Sequence, residues 1–277
     1  MRKFKLINSV GAEYDLTDTD HFLNAPDGLG FTKEIEYARI GNYYKEIENY
    51  SGQKKPNGEI VFISYTEYQT FNKFIVKTPL KLCYMPIDTW YYLDCSAVKL
   101  EKGEIETKSS RLICDIDFYA TSMWYLPVTT SELIASGSES AKVYPYTYDY
   151  DYFDNEGGTI EISNNGDTEA PCEIGIYGPV TNPVWKLIVN NETIRTGKLT
   201  ATIDDGYVLI INSKPDNYTI KRFAINSLIG YNYLSYSDFD TERFINIPTG
   251  TSQIVISDDT ENSLSAYVKV YQEYETV

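Results

Sequence analysis

Apolar and polar positions alternate along this chain far more often than they recur every three or four residues. Period two means extended strand, because successive side chains leave a strand on opposite faces. The most regular run is Val143–Phe153, in which Tyr144, Tyr146, Tyr148, Tyr150 and Tyr152 take every second position. Five phenol rings on one face suit a half-buried surface whose hydroxyls reach water or a partner. Pro145 removes one ladder donor, so the strand starts there or runs at an edge. The low-hydrophobicity run Thr129–Lys142 before it reads as a linker. Two domains are therefore expected, residues 1–128 and 143–277, joined by 129–142.

In the first part, strands are predicted at Lys3–Ile7, Thr32–Ile40, Glu59–Ser64, Leu80–Met85, Trp90–Leu100 and Arg111–Ala120. The last sends Leu112, Cys114, Ile116, Phe118 and Ala120 to one face. Turns are predicted at Asn8–Gly11, at Pro26-Asp27-Gly28 within Phe22–Phe31, and at Glu101–Glu104, with a loop over Gly52–Gly58. One segment has a different period. Ser64 and Glu67 are spaced as a capping box, Tyr65, Tyr68, Phe71 and Ile75 recur at helical spacing, and Pro79 closes the run. This predicts one helix covering a face of a sheet.

In the second part, short strands separated by turns at roughly 8–12-residue intervals predict a jelly-roll-like β-sandwich. Asn164–Asp167, Asn190-Asn191 and Asp204-Asp205-Gly206 are among its turns. The last strand, with Leu264, Ala266, Val268 and Val270 inward, is expected to pair with an early one.

Composition agrees with a mainly β fold: 26 Tyr, 11 Phe and 3 Trp in 277 residues favour strands. No apolar run approaches a membrane span, and Met1–Leu6 is followed by polar residues rather than a signal-peptide core. The protein is expected to be made in a cytoplasm and to stay soluble. Cys83, Cys95, Cys114 and Cys172 lie far apart without a C-x-x-C, which predicts buried thiols rather than a metal site. The single histidine, His21, has no nucleophile motif around it, so catalysis through it is not expected. Asp149, Asp151 and Asp154, Asp204-Asp205 and Asp258-Asp259 lack an EF-hand arrangement and read as solvated turns. No phosphate loop follows a strand and opens a helix. Neither a cofactor nor a metal is expected.

The net charge is −16 and lies mostly in the second half. Residues 1–125 carry 15 Lys+Arg and 18 Asp+Glu, so 15 − 18 = −3; the remainder carries 9 and 22, so 9 − 22 = −13. That balance opposes binding to a nucleic-acid backbone or to an anionic membrane. The tyrosine run and Trp185 admit two uses, a platform on which sugar rings stack or a face packed inside a sandwich; regular alternation favours packing.

The order of several motifs resembles the distal tail proteins of long-tailed phages that infect Gram-positive bacteria. The residues that carry the resemblance are FKLINSVGAEYDL (4–16) with Gly28–Phe31, the Tyr65–Ile75 helix before a proline, and Arg111–Ala120. Asn164–Ala170, Ile176–Asn182 and Phe244–Gly250 continue it through the second half. The resemblance implies a β-barrel-like N-terminal domain with one helix and a projecting hairpin, followed by a galectin-like sandwich. It implies a homo-hexameric ring at the virion tail tip, assembled in the host cytoplasm. The partners it implies are the tail-tube protein, a tail-associated adhesion or lytic protein and, in some members, receptor-binding proteins. It implies a structural hub rather than an enzyme. Alternatives are a carbohydrate-binding adhesin using Tyr144 to Tyr152, a tail-tube protein, or a hydrolase. A closed ring needs two different faces on each subunit. Glu36, Arg39, Lys54, Lys55, Arg111, Asp115 and Asp117 are the expected interface residues, since they offer mixed charge on extended backbone.

Overall fold

The computed structural model describes residues 2–105, 111–134, 158–259 and 264–277. The chain divides into two compact units, Met1–Leu126 with Glu273–Val277 and Pro127–Gln272. The described residues are mainly strand with one α-helix.

The first unit contains β1 (Lys3–Ile7), β2 (Glu13–Asp15), β3 (His21–Asp27), β4 (Lys33–Ile40), β5 (Tyr43–Ser51) and β6 (Asn57–Phe62). These are followed by α1 (Tyr65–Ile75), β7 (Leu80–Met85), β8 (Tyr91–Ile105) and β9 (Leu112–Ala120). Seven of the strands form an antiparallel sheet in the order β2-β1-β7-β8-β9-β6-β3. The order is open rather than a closed barrel; β2 and β3 are its ends, tied by a bridge between Thr17 and Phe22. On β9 the alternation works as expected, with Leu112, Cys114, Ile116, Phe118 and Ala120 all buried. They join Leu6, Phe62, Leu82 and Leu93 in one core.

Helix α1 closes that core. Ser64 is its N-cap, and the Ser64 hydroxyl oxygen accepts a hydrogen bond from the Glu67 backbone N–H at 3.2 Å. Phe71 and Phe74 face inward, their rings against Tyr14, and Phe71 also meets Phe62. Ser64→Ala is expected to lower stability by about 1 kcal/mol, the usual cost of a lost cap. Glu67→Ala should cost less, because the bond uses its backbone. Chemical denaturation of both variants checks this, and equal losses would mean that the carboxylate supports the cap.

Three local expectations change. Phe22–Asp27 belongs to β3 and not to a turn, because the register shift between Asn24 and Asp27 accommodates Pro26 as a bulge. Gly28 follows the strand with a φ of 71°, and a Cβ there would sit 2.5 Å from the Lys55 carbonyl oxygen. Glu101–Glu104 is strand rather than turn, since β8 continues to Ile105 with an irregular register beyond Lys102. Tyr43–Ser51, assigned no element from the sequence, is β5.

β10 (Trp124–Ile134) carries the chain from the first unit into the second, so that residues 129–134 are strand where a linker is expected. The second unit goes on through β11 (Gly158–Asn164), β12 (Ala170–Tyr177), β13 (Val180–Thr181), β14 (Val184–Val189) and β15 (Glu192–Lys198). Next come β16 (Thr202–Ile203), β17 (Tyr207–Asn212), β18 (Thr219–Ala224) and β19 (Gly230–Asn232). The last three are β20 (Asn246–Ile247), β21 (Gly250–Ser257) and β22 (Leu264–Tyr274). One sheet has the order β19-β18-β17-β12-β22 and the other β11-β21-β14-β15. Ile174, Ile176, Leu209, Ile211 and Val268 from the first sheet share a core with Ile160, Leu187, Ile254 and Ile256 from the second. Leu264, Ala266, Val268 and Val270 point into it, and β22 pairs with β12, an early strand of this unit. Asn190 and Asn191 both take positive φ and join β14 to β15 by a two-residue turn.

Candidate functional site

The chemistry that would make an enzyme is not assembled among the described residues. His21 lies on β3 with its ring 4.5 Å from that of Tyr14 and its Nδ1 3.9 Å from Glu67 Oε2. That nitrogen is buried without a hydrogen-bond partner. Burial, with the Glu67 carboxylate second, raises the Tyr14 phenol. No nucleophile joins this group. All four cysteines are free and buried, and burial pushes the thiols of Cys83, Cys95 and Cys172 up to about 12. Such thiols stay protonated and unreactive at neutral pH. No group of three His, Cys, Asp or Glu side chains among the described residues could hold a metal. Asp258 and Asp259 instead cap a turn, accepting from Thr181 N–H and from Asn182 Nδ2.

Trp185 is fully buried, so it offers no face to a sugar. Its indole Nε1 donates to the Arg243 carbonyl at 3.0 Å, and its ring lies over Gly197 on the paired strand. The packing alternative holds for this residue. Tyr144, Tyr146, Tyr148, Tyr150 and Tyr152 lie outside the described residues.

The expected interface residues fall into three places. Glu36 and Arg39 sit on β4, exposed, and the Arg39 Nε donates to the Gly41 carbonyl at 2.8 Å. Arg111, Asp115 and Asp117 share the outward face of the sheet at β9, because side chains there alternate with the core set. Asp115 stands between Glu59 and Glu101, and Asp117 lies beside Lys99, so this face is acidic. Lys55 joins it through a cation–π contact with Tyr119 at 5.2 Å. Lys54 goes the other way. Its side chain is buried, and the ammonium donates to the carbonyls of Gly30 and Glu275.

Exposed large apolar side chains gather on β4 and β5. The two pair only with each other, from Lys33↔Ser51 at the root to Ile40↔Tyr43 at the tip, and a turn with Gly41 at φ 63° joins them. Every residue of β5 is exposed, with Tyr43 at 81% and Tyr44 at 71%. Ile35, Tyr37, Ile40, Ile47 and Tyr50 are exposed too. Glu36 stands directly opposite Glu48, an unfavourable cross-strand pair. Isolated two-stranded hairpins are marginal in water. The sequence signal for this hairpin was Gly41-Asn42 between two strand-like runs, a two-residue hairpin turn.

Among the described residues, then, the surface that stands out is an exposed, apolar-decorated hairpin rather than a cluster of catalytic side chains. Residues 3–121 match the family "Distal tail protein, N-terminal domain". Proteins of this family are parts of the virion tail tip. No curated protein sequence matches the chain. In fold, the whole chain is similar to a protein of the phage P2 baseplate in its activated conformation with calcium, with a TM-score of 0.71 at 15% identity over 100% of both chains. The strontium form of that baseplate gives 0.70 at 15% over the same coverage. The Dit protein of SPP1, described as a paradigm of the hub adsorption apparatus in phages infecting Gram-positive bacteria, gives 0.64 at 11%. That likeness spans 96% of this chain and 98% of the other.

Proposed function

We propose that this protein is a structural hub subunit of the tail tip, that six copies close into a ring, and that it is not an enzyme. The ring continues the tail tube and joins it to the tail-associated adhesion or lytic protein. In some members of the family such a ring also docks receptor-binding proteins. The observation that carries this reading is the β4–β5 hairpin, whose two faces are uncovered among the described residues. A neighbouring subunit would bury Ile35, Tyr37, Ile40, Tyr43, Tyr44 and Ile47, each apolar side chain contributing about 1.5–3 kcal/mol when fully removed from water. The acidic outward face of β9, with Arg111 and Lys55 on the same side, supplies a second and chemically different surface. A closed ring of heterologous contacts requires two such surfaces.

Charge supports the same arrangement. Residues 1–125, at −3, can pack copy against copy at modest cost, while the remainder, at −13 in each copy, favours separation. We assign ring closure to the first unit and place the second, a galectin-like sandwich, outside the ring.

The test uses the full chain, because Glu273–Val277 belong to the first unit and a fragment ending near residue 128 would lack them. Native mass spectrometry with negative-stain microscopy is expected to show closed rings of six. Open-ended tubes would favour a tube protein instead, and a monomer at all concentrations would sink the ring.

A further inference from the structure

We propose that residues 273–277 are a latch that sets the root of the β4–β5 hairpin, with Glu275 gripping both hairpin strands at once. The proposal concerns the hairpin itself; its consequence for assembly rests on the hub function proposed above.

Lys33 and Ser51 are the last paired residues of the hairpin, one on each strand. The Lys33 ammonium and the Ser51 hydroxyl both donate to Glu275 Oε1, the latter at 3.0 Å, and Lys33 also donates to Ser51 at 3.2 Å. These three side chains form a closed triangle across the root. Hydrogen bonds from Lys33 and then Ser51 hold the Glu275 carboxyl below the usual carboxylate range. The Glu275 main chain ties the segments that lead into the hairpin. Its carbonyl accepts from Lys54 Nζ, which also donates to the Gly30 carbonyl at 3.1 Å. Lys54 follows one strand and Gly30 precedes the other, so one buried ammonium spans both lead-ins. A buried ammonium is costly unless such acceptors meet it.

The latch has a firm base. The Tyr274 ring meets the Tyr91 ring edge-on at 5.4 Å, and Val277 packs against the first unit's core. The hairpin, in contrast, has no sheet partner among the described residues beyond its own two strands. Eight residues of strand reach about 26 Å. A swing of about 20° at the root would therefore move the tip by roughly 9 Å on that length. Small freedom at Lys33 and Ser51 becomes large freedom at Tyr43, and a mobile hairpin must lose that freedom on docking.

The latch residue lies 242 positions after Lys33. A chain interrupted before residue 273 would have the hairpin but not its latch. Setting the hairpin is thus coupled to synthesis and folding of the chain as far as Glu275, and copies cut short before it or unfolded there are disfavoured as ring members.

Hydrogen exchange on the full chain tests this, comparing wild type with Glu275→Gln and Lys33→Gln in the same state, single chain or assembly. The expected result is exchange about tenfold faster across β4 and β5 in either variant, the scale of a lost charge-assisted hydrogen bond. Rates in β7 to β9 and in the second unit should not change, and the double variant should exchange no faster than the singles. Unaltered exchange in the hairpin would overturn the latch. Acceleration spread evenly over the first unit would also overturn it, by showing general destabilisation. Sedimentation of the same variants reads the second step, with weaker assembly expected from both. If wild type never assembles, the hub function fails while the exchange result still decides the latch.

Discussion

Trp185→Ala is expected to destabilise the second unit by about 3–5 kcal/mol, the range for deleting a fully buried large aromatic side chain. Trp185 contributes apolar area to the sandwich core, and its indole N–H satisfies the Arg243 carbonyl. The alanine variant loses both. Gly197 lies directly opposite on β15, and a Cβ there would come within 2.3 Å of the indole ring. Gly197→Ala should therefore cost about 1–3 kcal/mol through overpacking. The two losses share one physical cause, so they should not add. In the Trp185→Ala background the added methyl enters space the ring has left, and Gly197→Ala should cost little there or restore part of the loss. Denaturant unfolding followed by circular dichroism gives all four corners of the cycle. Additive losses would show that the glycine is required for some reason other than the ring above it.

Ile40→Asp combined with Ile47→Asp is expected to leave the fold intact and to reduce the protein from rings to single chains. Both side chains are exposed within the chain, at 60% and 61%, so their replacement should change its own stability by no more than about 0.5 kcal/mol. In an assembly that covers the hairpin, each substitution removes buried apolar area and places a carboxylate where nothing is arranged to receive it. Unpaired buried charge costs several kcal/mol, and a ring repeats that loss at every interface. Native mass spectrometry would read the change directly, with thermal melting as the control for folding. Rings that persist at wild-type strength would mean that the hairpin points away from the interface.

Much of the fold was legible because it is written in local chemistry. The period-two runs expected at Lys3–Ile7 and Arg111–Ala120 and the expected last strand fall on β1, β9 and β22, and on the latter two the residues expected inward are buried. The helix was legible because Ser64, the spacing of Tyr68 and Phe71, and Pro79 all lie within one short stretch of chain. Phe22–Asp27 and Glu101–Glu104 were not, since a turn-rich stretch can stay in a strand when a bulge absorbs the irregular residue. β5 was hidden for a related reason. Its strand is exposed on both faces, so the alternation that marks burial on one side is missing from Tyr43–Ser51.

By itself the sequence determined that the chain is mainly β, that its one described helix starts after Ser64, and that its negative charge lies mostly in the second half. These depend on side-chain period, capping and composition, which are properties of neighbours along the chain. Tertiary structure alone decided that the β4–β5 hairpin stands uncovered, that Lys54 is buried rather than presented, and that Glu275 reaches Lys33 and Ser51. The last two depend on residues brought together over long stretches of chain, 24 positions for Lys54 and Gly30 and 224 and 242 for Glu275 with Ser51 and Lys33. No local pattern encodes such a meeting, because the alternation that places a side chain on a face is silent about which distant segment will cover it.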